Sequence, residues 1–280
     1  MTILLALISA TTYGAADFLG GLAARRASAL GVVAVSQLAG LGLLLLLLPL
    51  LPGGDSAPAD YLWAGASGIA GGIGVLLLYR GLAIGPMSLV APVTAVCAAV
   101  LPVVVGLAFG EKLPPAALAG IAFAFPAIAL VSRATAPPKE RGGPRADSLL
   151  LALGAGVGFS AFFVLLDQTS SAAGLWPLLG TRAGSLLTVV VVAGAGRRSL
   201  LIARPVVPTA LGAGALDMAA NVFFLLAVNR GFLSIVAVLT ALYPAATVLL
   251  ARTVLEERMN RSQVAGIACA GIAVGLIAGS

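Results

Sequence analysis

The chain contains no histidine, and charged residues make up only 9% of its 280 positions. Without histidine it lacks the commonest transition-metal ligand and the usual neutral-pH general base. A soluble domain typically carries about 25% charged residues. With so little charge this chain has too few polar groups to cover a water-exposed surface. Cysteine occurs twice, as Cys97 and Cys269, each inside an apolar run. Neither a disulfide framework nor metal-ligand spacing follows from that pair. Aromatic residues are few, at 6%, which speaks weakly against a cage for large aromatic cations. No G-x-x-x-x-G-K loop is present, so ATP hydrolysis by this chain is not expected. The glycine-rich stretch GIAGGIG, 68–74, follows no strand, so it reads as a helix-packing stripe rather than a phosphate loop.

What the chain does have is apolar length. Hydrophobic residues make up 60%, mean hydropathy is +1.11, and 35 glycines let membrane helices approach closely. A membrane-spanning helix needs about 20 mostly apolar residues. Runs of that kind fall at roughly 2–24, 31–51, 61–83, 86–109 and 114–132, then at 148–167, 174–195, 206–229, 232–254 and 262–279. Their length without period-2 alternation argues for helices rather than strands. The opening run has no basic n-region and continues past the length of a signal-peptide core, so it reads as the first span. The one long polar connection is RATAPPKERGGPRAD, Arg133 to Asp147. Its proline, glycine and charge mark a linker. The expected layout is a first five-helix repeat at 1–133, a linker at 134–147 and a second repeat at 148–280.

The repeat is written in the residues. SLVAPVTA, 88–95, returns as SIVAVLTA, 234–241. Sliding the chain by 146 positions aligns 85–130 with 231–276 without a gap, giving fifteen identities in forty-six positions. Gly85/Gly231, Ser88/Ser234, Thr94/Thr240 and Glu111/Glu257 are among them, and at the same offset Tyr13 faces Phe159. Five spans per half is an odd number, so the halves would enter the membrane from opposite sides. The expected fold is therefore an all-α integral membrane protein of ten transmembrane helices in two inverted five-helix repeats. In such proteins the binding site lies near mid-membrane, between the repeats.

The arrangement resembles the drug/metabolite transporter superfamily in its ten-helix, EamA-type branch. The residues that carry the resemblance are FGEKLPPAALAG at 109–120, LEERMNRSQVAG at 255–266 and YGAADFLGG at 13–21. It covers nearly the whole chain, and implies export or exchange of small metabolites, amino acids or drugs. Family members often carry an arginine at the start of the second and seventh helices. Here Arg182 fits that place in the second half, and the first half offers Ser36 and Gln37.

Ionisable groups at membrane depth cost about 2.5–3.5 kcal/mol on insertion scales, which makes them candidates for function. Asp17 lies in the first span with Tyr13 one turn before it, and Asp217 in the eighth with Asn221 one turn after. These faces are expected to line a cavity, with Asp217 or Asp17 binding a proton or a cationic substrate. Pro92 and Pro102 are expected to interrupt the fourth span, and Pro244 the ninth. Broken helices at matching places point to a binding site, which adds Thr94, Thr240 and Tyr243 to the substrate-binding candidates. Tyr79–Arg80 and Asn229–Arg230, at span ends, read as interfacial anchors. Glu111–Lys112 and Glu256–Glu257–Arg258 read as capped turns.

The expected function is a secondary active transporter, an exporter working by alternating access and driven by protons or exchange. The alternatives are a membrane scaffold or a membrane enzyme acting on a lipid-linked substrate. The partners are a small-molecule substrate and the lipid bilayer, with a possible homodimer, no nucleic acid, no cofactor, no metal and no catalytic residues. The expected location is the cell (inner) membrane, crossed many times. Thirteen of sixteen basic residues fall in the loops after odd-numbered spans. The positive-inside rule would put those loops in the cytoplasm and both termini outside.

Overall fold

A computed structural model describes residues 1–50, 54–85, 87–131, 145–254 and 260–279. Helix dominates, and no strand occurs among the described residues. The first repeat contains α1 (Thr2–Ala24), α2 (Ala29–Leu47), α3 (Pro58–Ile84), α4 (Met87–Ala108) and α5 (Pro115–Val131). The second contains α6 (Arg145–Asp167), α7 (Pro177–Gly196), α8 (Val207–Val228), the pair α9 (Leu233–Thr240) and α10 (Tyr243–Val254), and α11 (Arg261–Ala278). The helices start where the chemistry of free N–H groups dictates. The Ser28 hydroxyl accepts from Gly31 N–H, and Asn260 and Gln263 cap each other's backbone at α11. Pro58 and Pro177 open α3 and α7, where a missing N–H costs nothing.

Seven of these helices are long and apolar enough to cross a bilayer, and α4, α5 and α9–α10 supply shorter apolar runs. The outward faces carry bare apolar side chains such as Leu46, Leu62, Val104 and Val190. Lipid covers such a surface where water would not. The linker region 132–144 and the turn 255–259, which includes Glu256, Glu257 and Arg258, lie outside the described residues.

Packing obeys a two-fold exchange of the repeats. Helix α3 packs on α6 and α7, and its counterpart α8 packs on α1 and α2. Likewise α4 lies on α6 and α10 lies on α1, while α5 and α11 pack against each other. Two glycines show how literal the exchange is. A Cβ built on Gly68 of α3 would sit 2.0 Å from the Thr181 carbonyl oxygen of α7. A Cβ on Gly214 of α8 would sit 2.0 Å from the Ser36 carbonyl oxygen of α2. Glycine is required at both because the backbones touch.

The prolines correct one expectation. Helix α4 runs unbroken through Pro92 and Pro102, so the two halves are not broken at matching places. A membrane helix can lose single N–H donors and continue. The ninth span does break, at Ala241–Leu242, just before Pro244. There Leu242 N–H bonds to Leu239, three residues back, which tightens the turn and ends α9. Pro244 then falls in the first turn of α10, where proline fits, so it helps begin a helix instead of kinking one.

Candidate functional site

Helices from both repeats enclose a cavity, and an ion-paired network crosses it. The Arg182 guanidinium donates from Nη2 to Asp217 Oδ2 at 2.8 Å, from Nη1 to Gln37 Oε1, and from Nε to Met218 Sδ at 3.1 Å. Gly40 leaves room for it, since a Cβ there would lie 3.1 Å from Arg182 Cζ. Asn221 sits one turn after Asp217 and donates to its backbone carbonyl at 2.6 Å and to Oδ2 at 3.3 Å. Tyr13 Oη donates to Asn221 Oδ1 at 3.0 Å. The chain Gln37–Arg182–Asp217–Asn221–Tyr13 thus ties α2, α7, α8 and α1 together, two helices from each repeat. Gln37, Arg182 and Asn221 are buried. Arg182 and Asp217 cancel in charge, which is how an arginine can persist at this depth.

Asp17 lines the same cavity, half-buried. Among the described residues its carboxylate makes no hydrogen bond and no ion pair.

The other wall is apolar, and the repeat explains why. At the offset of 146, Tyr13 corresponds to Phe159 and Asp17 to Phe163, while Asp217 corresponds to Gly71 and Asn221 to Val75. All eight side chains or glycines line the cavity. One set of equivalent positions therefore carries polar chemistry on α1 and α8, and the other carries apolar residues on α6 and α3. Phe162 meets Phe163 edge-on with centroids 5.5 Å apart, and Phe163 stacks on Phe224 of α8 at 4.4 Å. Aromatics are few, but the fold concentrates them here.

Of the seven residues expected from sequence, Tyr13, Asp17, Asp217, Asn221 and Tyr243 line the cavity. Thr94 and Thr240 do not. Thr94 is fully buried and donates to the Ala152 carbonyl of α6 at 3.1 Å, a helix-packing bond. Thr240 is fully buried at the α9–α10 break, and among the described residues its hydroxyl has no hydrogen-bond partner. Tyr79, read from sequence as an interfacial anchor, is instead 3% exposed. It packs its ring and hydroxyl where a Gly20 Cβ would be. In the sequence Arg182 and Gln37 stand out only as positions where the resembled family often carries arginines, and no local pattern pairs them with Asp217. Among the described residues, no three acidic or cysteine side chains gather in a way that would hold a metal.

A second inter-repeat contact lies at one end of the bundle. Glu111, in the turn after α4, accepts from Leu233 N–H at 2.8 Å and Ser234 N–H at 3.3 Å, the first residues of α9. The first repeat thus supplies the N-terminal cap of a helix in the second, where a carboxylate also suits the helix dipole.

A ten-position helical membrane bundle with a buried site between two repeats is the architecture of a carrier protein. Family comparison agrees: the EamA-like transporter family matches twice, over residues 1–133 and 147–279. The chain belongs to that family, and so to the drug/metabolite transporter superfamily. Among solved structures it is similar to a crystal structure of a protein at 15% identity and a TM-score of 0.69. That match covers 99% of this chain and 98% of the other, and at such identity it shows a shared fold alone. Comparison with curated proteins finds no match.

Proposed function

We propose that the protein is a secondary active transporter in the cell (inner) membrane, exporting a small molecule by alternating access. The observation that carries this reading is the Arg182-centred network. It sits in a cavity lined by both repeats and holds helices of each, so anything that binds there and disturbs it acts on both halves at once. Alternating access in inverted-repeat carriers needs a site of that kind, since one half rocks against the other around it.

Protons or an exchanged solute would drive the cycle. Two carboxylates are candidates for the proton, and their surroundings divide the work. Asp217 is engaged by Arg182 and Asn221, so its charge is balanced in this conformation. Asp17 is unengaged and is the better placed to exchange a proton for a ligand. Tyr13, Asn221 and Tyr243 would position the ligand, while Thr94 and Thr240 would act through packing of α4 and the α9–α10 break.

The test is reconstitution into proteoliposomes with an imposed pH gradient. Gradient-driven flux of a small solute, lost in Asp17→Asn or Asp217→Asn, supports the reading. Intact, correctly folded protein that moves no solute under any gradient overturns it.

A further inference from the structure

We infer that Glu111 is a latch in the transport cycle. Its bond to the start of α9 holds shut the end of the bundle where α1 begins, and the cavity opens to that side only when the bond breaks. This rests on the transporter reading and names a residue that controls the opening.

The turn comes first. Helix α4 ends at Ala108, and Gly110 follows with a φ of 90°, a backbone conformation that suits glycine. Gly110 N–H bonds to the Leu107 carbonyl and Glu111 N–H to the Gly106 carbonyl, the paired bonds that close a helix through a left-handed residue. They fold the chain back and fix Glu111 to the end of α4. Its half-buried carboxylate then reaches α9, which has no side-chain cap of its own because Phe232 stands at that place. Gly106 keeps the space clear, since an added Cβ would lie 2.4 Å from both Glu111 Oε2 and Ser234 Oγ.

What the bond joins comes second. The helices pack in two groups, each drawn from both repeats: α1, α2, α8 and α9–α10 in one, α3, α4, α6 and α7 in the other. At the end where α1 begins, Thr2 Oγ1 donates to the Arg230 carbonyl within the first group, and Ser170 N–H donates to Asp60 within the second. Glu111 crosses from one group to the other. The Arg182 bonds to Asp217 and Gln37 also cross, at the cavity. A ligand there disturbs one crossing point, and opening requires the other to part. Glu111 suits that role because water at the end of the bundle can replace both partners, so parting costs less there than at mid-membrane. The repeat does not duplicate the turn. At the offset of 146, Gly106 corresponds to Arg252 and Gly110 to Glu256, so the second half carries neither glycine.

The experiment uses the full chain in liposomes, with Cys97→Ala, Cys269→Ala and Ser185→Cys, the last in the cavity wall. A charged, membrane-impermeant thiol reagent is added to one face at a time, and a cleavable tag at the N-terminus reports which face holds the start of α1. Glu111→Ala should speed labelling from that face roughly tenfold and slow it from the other. Glu111→Gln keeps an acceptor oxygen and should stay near the parent. Gly106→Ala, which pushes the carboxylate aside, should behave like Glu111→Ala. Labelling raised equally from both faces would mean that Glu111 only stabilises the fold, and overturns the inference. So does labelling that none of the variants changes. Solute flux in the same liposomes separates the two readings. One-sided labelling in a protein that moves no solute under any gradient would sink the transporter reading and keep the latch. Gradient-driven flux with labelling indifferent to Glu111→Ala would do the reverse.

Discussion

Arg182 and Asp217 form an ion pair at 2.8 Å whose guanidinium also reaches Gln37, so one side chain of the second repeat is held by both repeats. Removing one member of a buried pair leaves an uncompensated charge, which typically costs about 3–5 kcal/mol. Arg182→Met should therefore lower the melting temperature sharply in detergent. The double variant Arg182→Met/Asp217→Leu should recover much of the loss, because no charge is stranded. If the double variant is as unstable as the single one, the pair is not what the arginine stabilises.

Gly68 and Gly214 should behave alike. Each meets a carbonyl of a neighbouring helix where a methyl group has no room, so Gly68→Ala and Gly214→Ala should each cost about 1–3 kcal/mol by overpacking. Gly42, on the same α2 that receives Gly214, has nothing within 4 Å of an added Cβ. Gly42→Ala should be neutral or slightly stabilising, since alanine favours helix. Melting temperatures of the three variants decide it.

Glu111→Ala should uncap α9 from across the repeat interface. The expected cost is about 0.5–2 kcal/mol, the usual range for a lost cap. The more specific readout is hydrogen exchange at Leu233 and Ser234, whose N–H groups lose their acceptor. Their exchange should accelerate while the middle of α8 stays protected. Unchanged exchange at those two amides would show that the contact is not maintained in the membrane protein.

Cysteine labelling should separate lining from packing positions. In a background of Cys97→Ala and Cys269→Ala, cysteine at Ser185 or Asn221 should react with a small thiol reagent, and a bound ligand should slow the reaction. Cysteine at Thr240 should resist, because that side chain is fully buried and does not border the cavity. Rapid, ligand-sensitive labelling at 240 would place the α9–α10 break in the pathway.

Much of this was legible in the sequence because the bilayer leaves little choice. Apolar runs of span length must become helices, since no other open structure satisfies its backbone in lipid. The expected first span, 2–24, coincides with α1, and most other boundaries fall within three residues of those observed. The repeat also announced the two-fold packing, through Ser88/Ser234, Thr94/Thr240 and Glu111/Glu257. Helical period placed Tyr13 with Asp17 and Asp217 with Asn221, and these four do share the cavity. The proline reasoning failed because a missing N–H says where a helix loses a bond, and neighbouring packing decides whether it yields there. Pro92 and Pro102 lie in a continuous helix, and Pro244 in the first turn of a new one.

The sequence by itself determined the class of fold, the number of spans and their duplication, because hydrophobic length and periodicity are local properties. Only the tertiary structure decided which polar groups are spent on each other and which remain free. Arg182 meets Asp217 and Gln37 from helices far apart in the chain, so no local pattern could pair them. Among the described residues that pairing leaves Asp17 without a hydrogen bond or ion pair, in the cavity that Phe159, Phe162 and Phe163 of the second repeat also line.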